Sequence, residues 1–229
     1  MFDYGEACPI SMASSVLCER WTLQIVRELF FGSTRYSEIQ RYIPNISPSL
    51  LRNRLRFLED QGIILRKRSG TGNRPEYHLT ASGKALAPVL TELGRWGMRH
   101  AREGMTDKLN TVSGLMRDFS GALNLDELPS GDSVLQFNLT DVGNGEKRYL
   151  YVRDSEVQEC AQDLGFDVDV YITSTVKALT RVWYGEVGIH RAIDDGLVTV
   201  VASPVYLRSI SRWLGVSSFT TDHPQIDAR

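Results

Sequence analysis

The fold is decided by one stretch of the 229-residue chain, Ser47-Pro48-Ser49-Leu50-Leu51-Arg52-Asn53-Arg54-Leu55-Arg56-Phe57-Leu58-Glu59-Asp60. Ser47 is typical of a helix N-cap, because its hydroxyl can accept a hydrogen bond from a first-turn backbone N–H. Pro48 fits the first helical position, where no backbone N–H is needed. The leucines recur at spacings of four and three residues and Gly62 follows as a stop, so the sequence predicts an amphipathic helix.

The side of this helix away from the leucines is polar and basic. Arginine, asparagine and serine supply the donors and acceptors that read base edges in a major groove. A basic amphipathic helix is more often an ordinary solvated surface, so the neighbouring segments must decide between the two interpretations. The residues on this side are Ser49, Arg52, Asn53 and Arg56.

The neighbouring segments favour DNA reading. Residues 35–43 predict a short helix ended by Pro44, which makes the 47–60 segment the second helix of a helix-turn-helix. Residues 64–69 and 75–79 predict paired strands around a glycine-rich, basic tip at 70–74. Helix, turn, helix and β-hairpin is the order of elements in a winged-helix domain.

The charges are unevenly distributed along the chain, whose net charge is −2. Residues 1–107 carry 15 Lys and Arg against 11 Asp and Glu, whereas residues 108–229 carry 11 against 17. Residues 35–74 alone hold nine basic and three acidic residues, a net charge of +6. Positive charge is therefore concentrated where phosphate neutralisation would require it.

Several classes of protein are disfavoured. No run of 18 apolar residues is present, and the first residues lack a signal-peptide pattern, so we expect a cytoplasmic protein without a membrane partner. Cys8, Cys18 and Cys160 are too few and too scattered for a disulfide framework or a zinc site. The four histidines are dispersed and no catalytic constellation is found. We expect no enzyme, no catalytic residue, no cofactor and no metal.

Residues 8–103 contain six motifs in order: Cys8-Pro9-Ile10, Arg20-Trp21-Thr22-Leu23, Arg35-Tyr36-Ser37-Glu38-Ile39, Ile46-Ser47-Pro48, Arg54-Leu55-Arg56 and Tyr77-His78-Leu79-Thr80. With these motifs the chain resembles the HxlR-type transcriptional regulators. The resemblance implies a small winged-helix repressor or activator that binds an operator as a homodimer. In this family a cysteine at the position of Cys8 sometimes serves as a thiol sensor; a buried, unreactive thiol is the alternative.

Two further expectations concern helices. Cys18-Glu19 stand where the family often has two glycines, which predicts that the first two helices are more continuous here. Thr80 predicts the N-cap of one long helix from Ala81 to about Glu103, with an apolar face that needs a partner. The resemblance implies a second subunit as that partner, and the chain's own second half is the alternative. A two-fold dimer predicts a roughly palindromic operator with half-sites about one helical turn apart.

The second half has a different pattern. We predict a linker at 104–130, with a helix over 107–119, and then a domain at 131–229 with strands at 134–139, 148–152, 168–172 and 197–201. Helices are expected after Ser174 and from Pro204. The hydrophobic pattern and the Asp195-Gly196 turn resemble the sterol-carrier-protein type 2 fold, which implies an apolar small-molecule effector. Candidate lining residues are Tyr171, Trp183, Tyr184, Ile189 and Trp213; an ordinary core is the alternative.

The sequence thus predicts an α+β chain: a winged helix-turn-helix domain with a long dimerisation helix at 1–103, and a sterol-carrier-like domain. Double-stranded DNA and a second copy are the expected partners. Alternatives are a thiol-based regulator acting through Cys8, a lipid carrier with an accessory winged helix, or a scaffold that uses the winged helix for protein contacts. Base contacts are assigned to Ser49, Arg52 and Asn53, and Arg56 is assigned to bases or a nearby phosphate. Phosphate contacts are assigned to Arg35, Arg54, Arg68 and Arg74, and Ser47 completes the DNA-binding set.

Overall fold

The structure is a computed structural model that describes residues 4–68, 74–101 and 111–220. It divides into two compact units, residues 1–94 and 95–229, which are considered separately.

The first unit has the helices and the hairpin of a winged helix-turn-helix. The two strands are antiparallel, in a register that runs from Ile64 opposite Leu79 to Arg68 opposite Pro75. This confirms the winged-helix prediction, although residues 69–73 of the expected hairpin tip lie outside the described residues. The elements are α1 Pro9–Leu17, α2 Thr22–Phe30, α3 Tyr36–Tyr42, α4 Pro48–Asp60, β1 Ile64–Arg68, β2 Pro75–Leu79 and α5 Ala81–Lys84. A further helix, α6 Ala87–His100, runs past the end of this unit.

The core of the first unit is built around the leucines of α4. Leu51, Leu55 and Leu58 are at most 1% exposed and belong to one cluster with the isoleucines of α2 and α3. Burial of a leucine side chain contributes about 1.5–3 kcal/mol, so these three contacts largely fix which side of α4 faces inward.

Two helix predictions were wrong. α1 ends at Leu17 and α2 begins only at Thr22, because Trp21 adopts a left-handed conformation with φ 77° that no helix can continue through. The single helix expected from Ala81 is instead divided into α5 and α6. Pro88 explains this break, since it has no N–H to donate to the carbonyl of Lys84, four residues earlier.

The second unit contains a five-stranded sheet with the strand order β5-β4-β3-β6-β7. β3 and β6 pair in parallel, whereas β3–β4, β4–β5 and β6–β7 pair antiparallel. The strands are β3 Ser133–Leu139, β4 Glu146–Arg153, β5 Glu156–Cys160, β6 Val170–Ser174 and β7 Val198–Ala202. The helices are α7 Val112–Ala122, α8 Val176–Trp183, α9 Ile189–Asp194, α10 Pro204–Arg208 and α11 Ile210–Trp213, with a short 3-10 helix at Leu125–Glu127.

Four of these strands were predicted and β5 was not. Asp154 and Ser155 form the turn before it with positive φ angles of 49° and 62°, a geometry usually signalled by Asn-Gly or Asp-Gly. The strand itself is mostly polar, so it lacks the alternation that identifies a half-buried strand.

The predicted linker at 104–130 is corrected in its second half. Leu115, Met116 and Phe119 of α7 are fully buried in the core of the second unit, with the Phe119 ring 5.3 Å from that of Trp183. Gly114 and Gly121 made this segment resemble a linker, although they lie within the helix.

Thr175 caps α8 as expected for the helix after Ser174, accepting a hydrogen bond from Ala178 N at 3.0 Å. The resemblance to the sterol-carrier fold stays a prediction.

Candidate nucleic-acid interface

α4 begins where its sequence predicted. Ser47 Oγ accepts a hydrogen bond from Leu50 N at 3.3 Å, and Pro48 occupies the first turn. Ser49 Oγ lies 3.3 Å from Ser47 Oγ, and both serines are exposed. The N-terminal end of α4 is therefore capped and still accessible.

The solvent side of α4 carries three of the predicted base-reading residues. Arg52, Asn53 and Arg56 are exposed, on the side opposite the buried leucines. Within residues 4–68, 74–101 and 111–220, neither the Arg52 nor the Arg56 guanidinium makes an ion pair or a hydrogen bond. Their donors are thus available for a ligand in solution.

Contacts from α3 hold the start of α4 in place. Tyr36 Oη donates a hydrogen bond to the carbonyl of Pro48 at 2.8 Å, and Gln40 Nε2 donates to the carbonyl of Ile46 at 2.8 Å. Glu38 Oε2 accepts hydrogen bonds from the N–H groups of Thr34 and Arg35, both at 2.9 Å, which anchors the start of α3. No local pattern predicts the bonds of Tyr36 and Gln40, because they join residues on different elements.

Arg54 lies on a different side of α4 from Arg52. Its Nη2 is 2.5 Å from Glu19 Oε2, and its Nε donates to the carbonyl of Arg20 at 3.2 Å. The Arg54 and Glu19 side chains are only 18% and 20% exposed. These contacts attach α4 to the segment between α1 and α2; a phosphate contact of Arg54 stays a prediction.

The hairpin adds basic side chains beyond those expected. Arg68 and Arg74 are exposed, as are Arg66 and Lys67, which were not in the predicted set. Both residues belong to a run of three basic residues on β1, and this run is a sequence signal for adding them to the DNA-binding set. The Arg35 side chain is 58% exposed, and its Nη2 lies 4.0 Å from Glu76 Oε1.

Cys8 stands directly before α1 and is partly exposed. The backbone N–H groups of Ser11 and Ile10, in the first turn of α1, lower the pKa of the Cys8 thiol from its ordinary value of 9.0. The thiolate is therefore present at lower pH than for an ordinary cysteine.

The five residues predicted to line an effector cavity do not share one surface. Trp183, Ile189 and Trp213 are 8%, 6% and 0% exposed and belong to the core of the second unit. Tyr184 packs at the edge of that core, whereas Tyr171 is 42% exposed. This arrangement favours the ordinary-core alternative for the three buried side chains.

The described ranges contain neither a metal-ligand cluster nor a membrane-spanning helix. No group of three or more His, Cys, Asp or Glu side chains there could hold a metal ion. No helix in these ranges has the length and apolar character required to cross a membrane.

Comparison with known proteins now identifies the first unit. The family model of the HxlR-like helix-turn-helix matches residues 16–105. YvaP of Bacillus subtilis, described as an uncharacterized HTH-type transcriptional regulator, is 44% identical over 96 residues, which cover 41% of this chain and 89% of YvaP. The chain belongs to the HxlR-like helix-turn-helix family.

Other proteins named as transcriptional regulators are also similar to this HxlR-like chain. YkvN of Bacillus subtilis, another uncharacterized HTH-type transcriptional regulator, is 34% identical over 98 residues, covering 42% of this chain and 83% of YkvN. Among solved structures, the reduced form of the transcriptional regulator YodB from B. subtilis is 34% identical to this chain. The match covers 43% of this chain and 99% of the YodB chain, with a TM-score of 0.39.

The Arg54–Glu19 pair is expected to stabilise the first unit of this HxlR-like chain. Arg54→Ala leaves a mostly buried carboxylate without its partner, which costs about 1–3 kcal/mol of unfolding free energy. Arg52→Ala is the matched control and should change that free energy by less than about 0.5 kcal/mol, because Arg52 is exposed. Urea denaturation measures both, and equal stabilities of the two variants would contradict the assignment.

Proposed function

We propose that this protein is a DNA-binding transcription regulator in which the exposed side of α4 enters the major groove. The observation that carries the proposal is the division of α4 into two sides. Fully buried leucines hold one side, and Arg52, Asn53 and Arg56 project into solvent from the other. Membership of the HxlR-like helix-turn-helix family supports the same function, since its relatives YvaP and YkvN are named as transcriptional regulators.

The basic residues have two separate tasks in this proposal. Arg52, Asn53 and Arg56, with Ser49, contact base edges, because they lie on the exposed side of the capped helix. Exposed side chains outside this set contact phosphates, which fixes the position of the protein but carries no sequence information. The phosphate set consists of Arg35, Arg66, Lys67, Arg68 and Arg74, with Arg54 restrained by Glu19.

We further propose that α6 forms a homodimer interface. Val89, Leu93 and Trp96 are 47%, 46% and 57% exposed and recur at spacings of four and three residues, so they form one apolar stripe. Large apolar side chains in a stripe are typical of an association surface. A two-fold dimer presents two copies of α4 and therefore favours a roughly palindromic operator with half-sites about one helical turn apart.

An apolar effector in the second unit is not needed for this proposal. Trp183 and Trp213 lie in the core, so their positions do not support an effector cavity. The effector and the lipid-carrier alternative both stay predictions.

A thiol-based control through Cys8 is the second candidate function. It is favoured by the position of the partly exposed Cys8 directly before α1, where backbone N–H groups of the first turn lower the pKa of its thiol. Modification there would place a bulky or charged group on the first helix of the DNA-binding unit.

DNA reading is tested with duplexes selected from a random pool by the full-length chain. Arg52→Ala should weaken binding to the selected duplex by about 1–3 kcal/mol and reduce discrimination against a scrambled duplex. Arg66→Ala should weaken binding to both duplexes alike and lower the slope of log K against log salt by about 0.9. Fluorescence anisotropy over a salt series gives both quantities.

Arg191→Ala is the control for this series, because Arg191 lies in the second unit and its side chain is 80% exposed. It should leave binding to both duplexes unchanged. Full discrimination retained by Arg52→Ala, Asn53→Ala and Arg56→Ala would refute the proposed reading surface. A wild-type chain without any salt-dependent affinity for DNA would favour the scaffold alternative.

Dimer formation through α6 is tested by Leu93→Glu combined with Trp96→Glu. Placing charges in an apolar interface should raise the dimer dissociation constant at least about 100-fold, or roughly 2.7 kcal/mol. Sedimentation equilibrium measures the constant, with Val216→Glu as a control at a valine that is 39% exposed in the second unit. A dissociation constant shared by the double variant and the wild type would rule out α6 as the interface.

The reactivity of Cys8 is tested by alkylation with iodoacetamide as a function of pH. Because its pKa is lowered, the labelling rate of Cys8 should fall to half its plateau at a pH below 9.0. Peptide mass spectrometry separates Cys8 from Cys18 and Cys160, and Cys8→Ser supplies the blank. A midpoint at or above 9.0 would remove the thiol-based candidate.

A further inference from the structure

The sheet of the second unit ends in an unprotected strand. Within the described part of the chain, β7 pairs with β6 on one edge and no strand pairs with its other edge. Its sequence, Val198-Thr199-Val200-Val201-Ala202, contains no charge and no proline. Edge strands of soluble proteins usually carry such residues, because a free row of N–H and C=O groups is a template for another strand.

The opposite edge of the same sheet shows the usual protection. β5 places Glu156 and Glu159 along its five residues, and the tight turn at Asp154 precedes it. The two edges of one sheet therefore differ: one is acidic and the other is neutral and β-branched. This difference singles out β7 as the edge that is able to accept a further strand.

Apolar surface continues from the β7 edge onto the adjacent face of the sheet. Val201 is 61% exposed and stands directly opposite Tyr171 of β6, which is 42% exposed. Thr199, on the same side of β7 as Val201, is exposed as well. A strand added at this edge would cover Val201 in addition to pairing its backbone.

We propose that β7 pairs antiparallel with β7 of a second copy of this chain, around a two-fold axis, so that two sheets become one. A neutral strand meets its own copy without charge repulsion, whereas it offers nothing that would favour a strongly basic or acidic partner strand. A two-fold axis perpendicular to the sheet requires the two copies of β7 to run antiparallel.

The pairing makes a specific statement about opposed side chains. With the axis at Val200, Thr199 of one copy lies opposite Val201 of the other, twice per interface. This contact is separate from DNA reading and from the α6 stripe. Charges introduced at these two positions should therefore repel when they are alike and attract when they are opposite.

The experiment uses full-length chains that carry Leu93→Glu and Trp96→Glu, so that association through α6 does not obscure the result. One chain also carries Thr199→Lys and Val201→Lys, and another carries Thr199→Glu and Val201→Glu. Sedimentation velocity at about 100 μM should show dimers for the chain with native β7, monomers for each charged chain alone, and dimers again for their equimolar mixture. The charges should raise the dissociation constant at least about 10-fold.

Val216→Lys in the same background is the matched control and should leave the dimer intact, because Val216 is an exposed valine outside the sheet. Circular dichroism verifies that every chain is folded. Monomers from the chain with native β7 would overturn the proposal. Dimers of both charged chains alone, or a mixture that stays monomeric, would do so as well. Binding to DNA does not enter the measurement, so failure here leaves the proposed function to its own tests.

Discussion

Burial of three leucines along one side of α4 is the constraint on which the first unit depends. Leu51, Leu55 and Leu58 occupy the centre of the core formed by α2, α3 and the hairpin, which fixes the rotation of α4 about its own axis. Because side chains on a helix are spaced at 100° intervals, this rotation also determines that Arg52, Asn53 and Arg56 face solvent. The hydrophobic core and the proposed recognition surface are thus two consequences of one pattern. Polar contacts complete the arrangement. Tyr36 and Gln40 hold α3 to the start of α4, and the ion pair of Glu19 with Arg54 anchors the middle of α4.

Much of the first unit could be predicted from local sequence, because the deciding signals lie within a few residues of each other. The cap at Ser47, the proline beside it and the leucine spacing define α4 without reference to distant residues. Local patterns did not reveal the left-handed Trp21 or the pairing of Arg54 with Glu19, since the first depends on tertiary contacts and the second joins residues 35 positions apart. Pro88 is a local signal for the break between α5 and α6, whereas the apolar periodicity on both sides of it predicts one continuous helix.

The second unit was harder to predict for a related reason. Its sheet combines strands with strong apolar alternation and one polar edge strand, β5, whose only strong signal is its pairing with β4. For the aromatic residues, the sequence predicted a feature that the structure does not support. A cluster such as Trp183, Ile189 and Trp213 suggests a ligand cavity by composition, yet only the fold shows that these side chains fill a core. The sheet also shows what composition alone conceals: its two edges differ in charge, and no strand among the described residues pairs with the free edge of the neutral strand β7.

The central claim is that the solvent side of α4 is the surface that DNA covers, and arginine-specific labelling tests it most directly. Full-length protein is treated with phenylglyoxal, free and bound to its selected duplex, and modification is quantified at each arginine by mass spectrometry. The account predicts that DNA protects Arg52 and Arg56, whereas Arg191 in the second unit reacts equally in both states. Arg52 and Arg56 that react as fast in the DNA complex as in the free protein would contradict it.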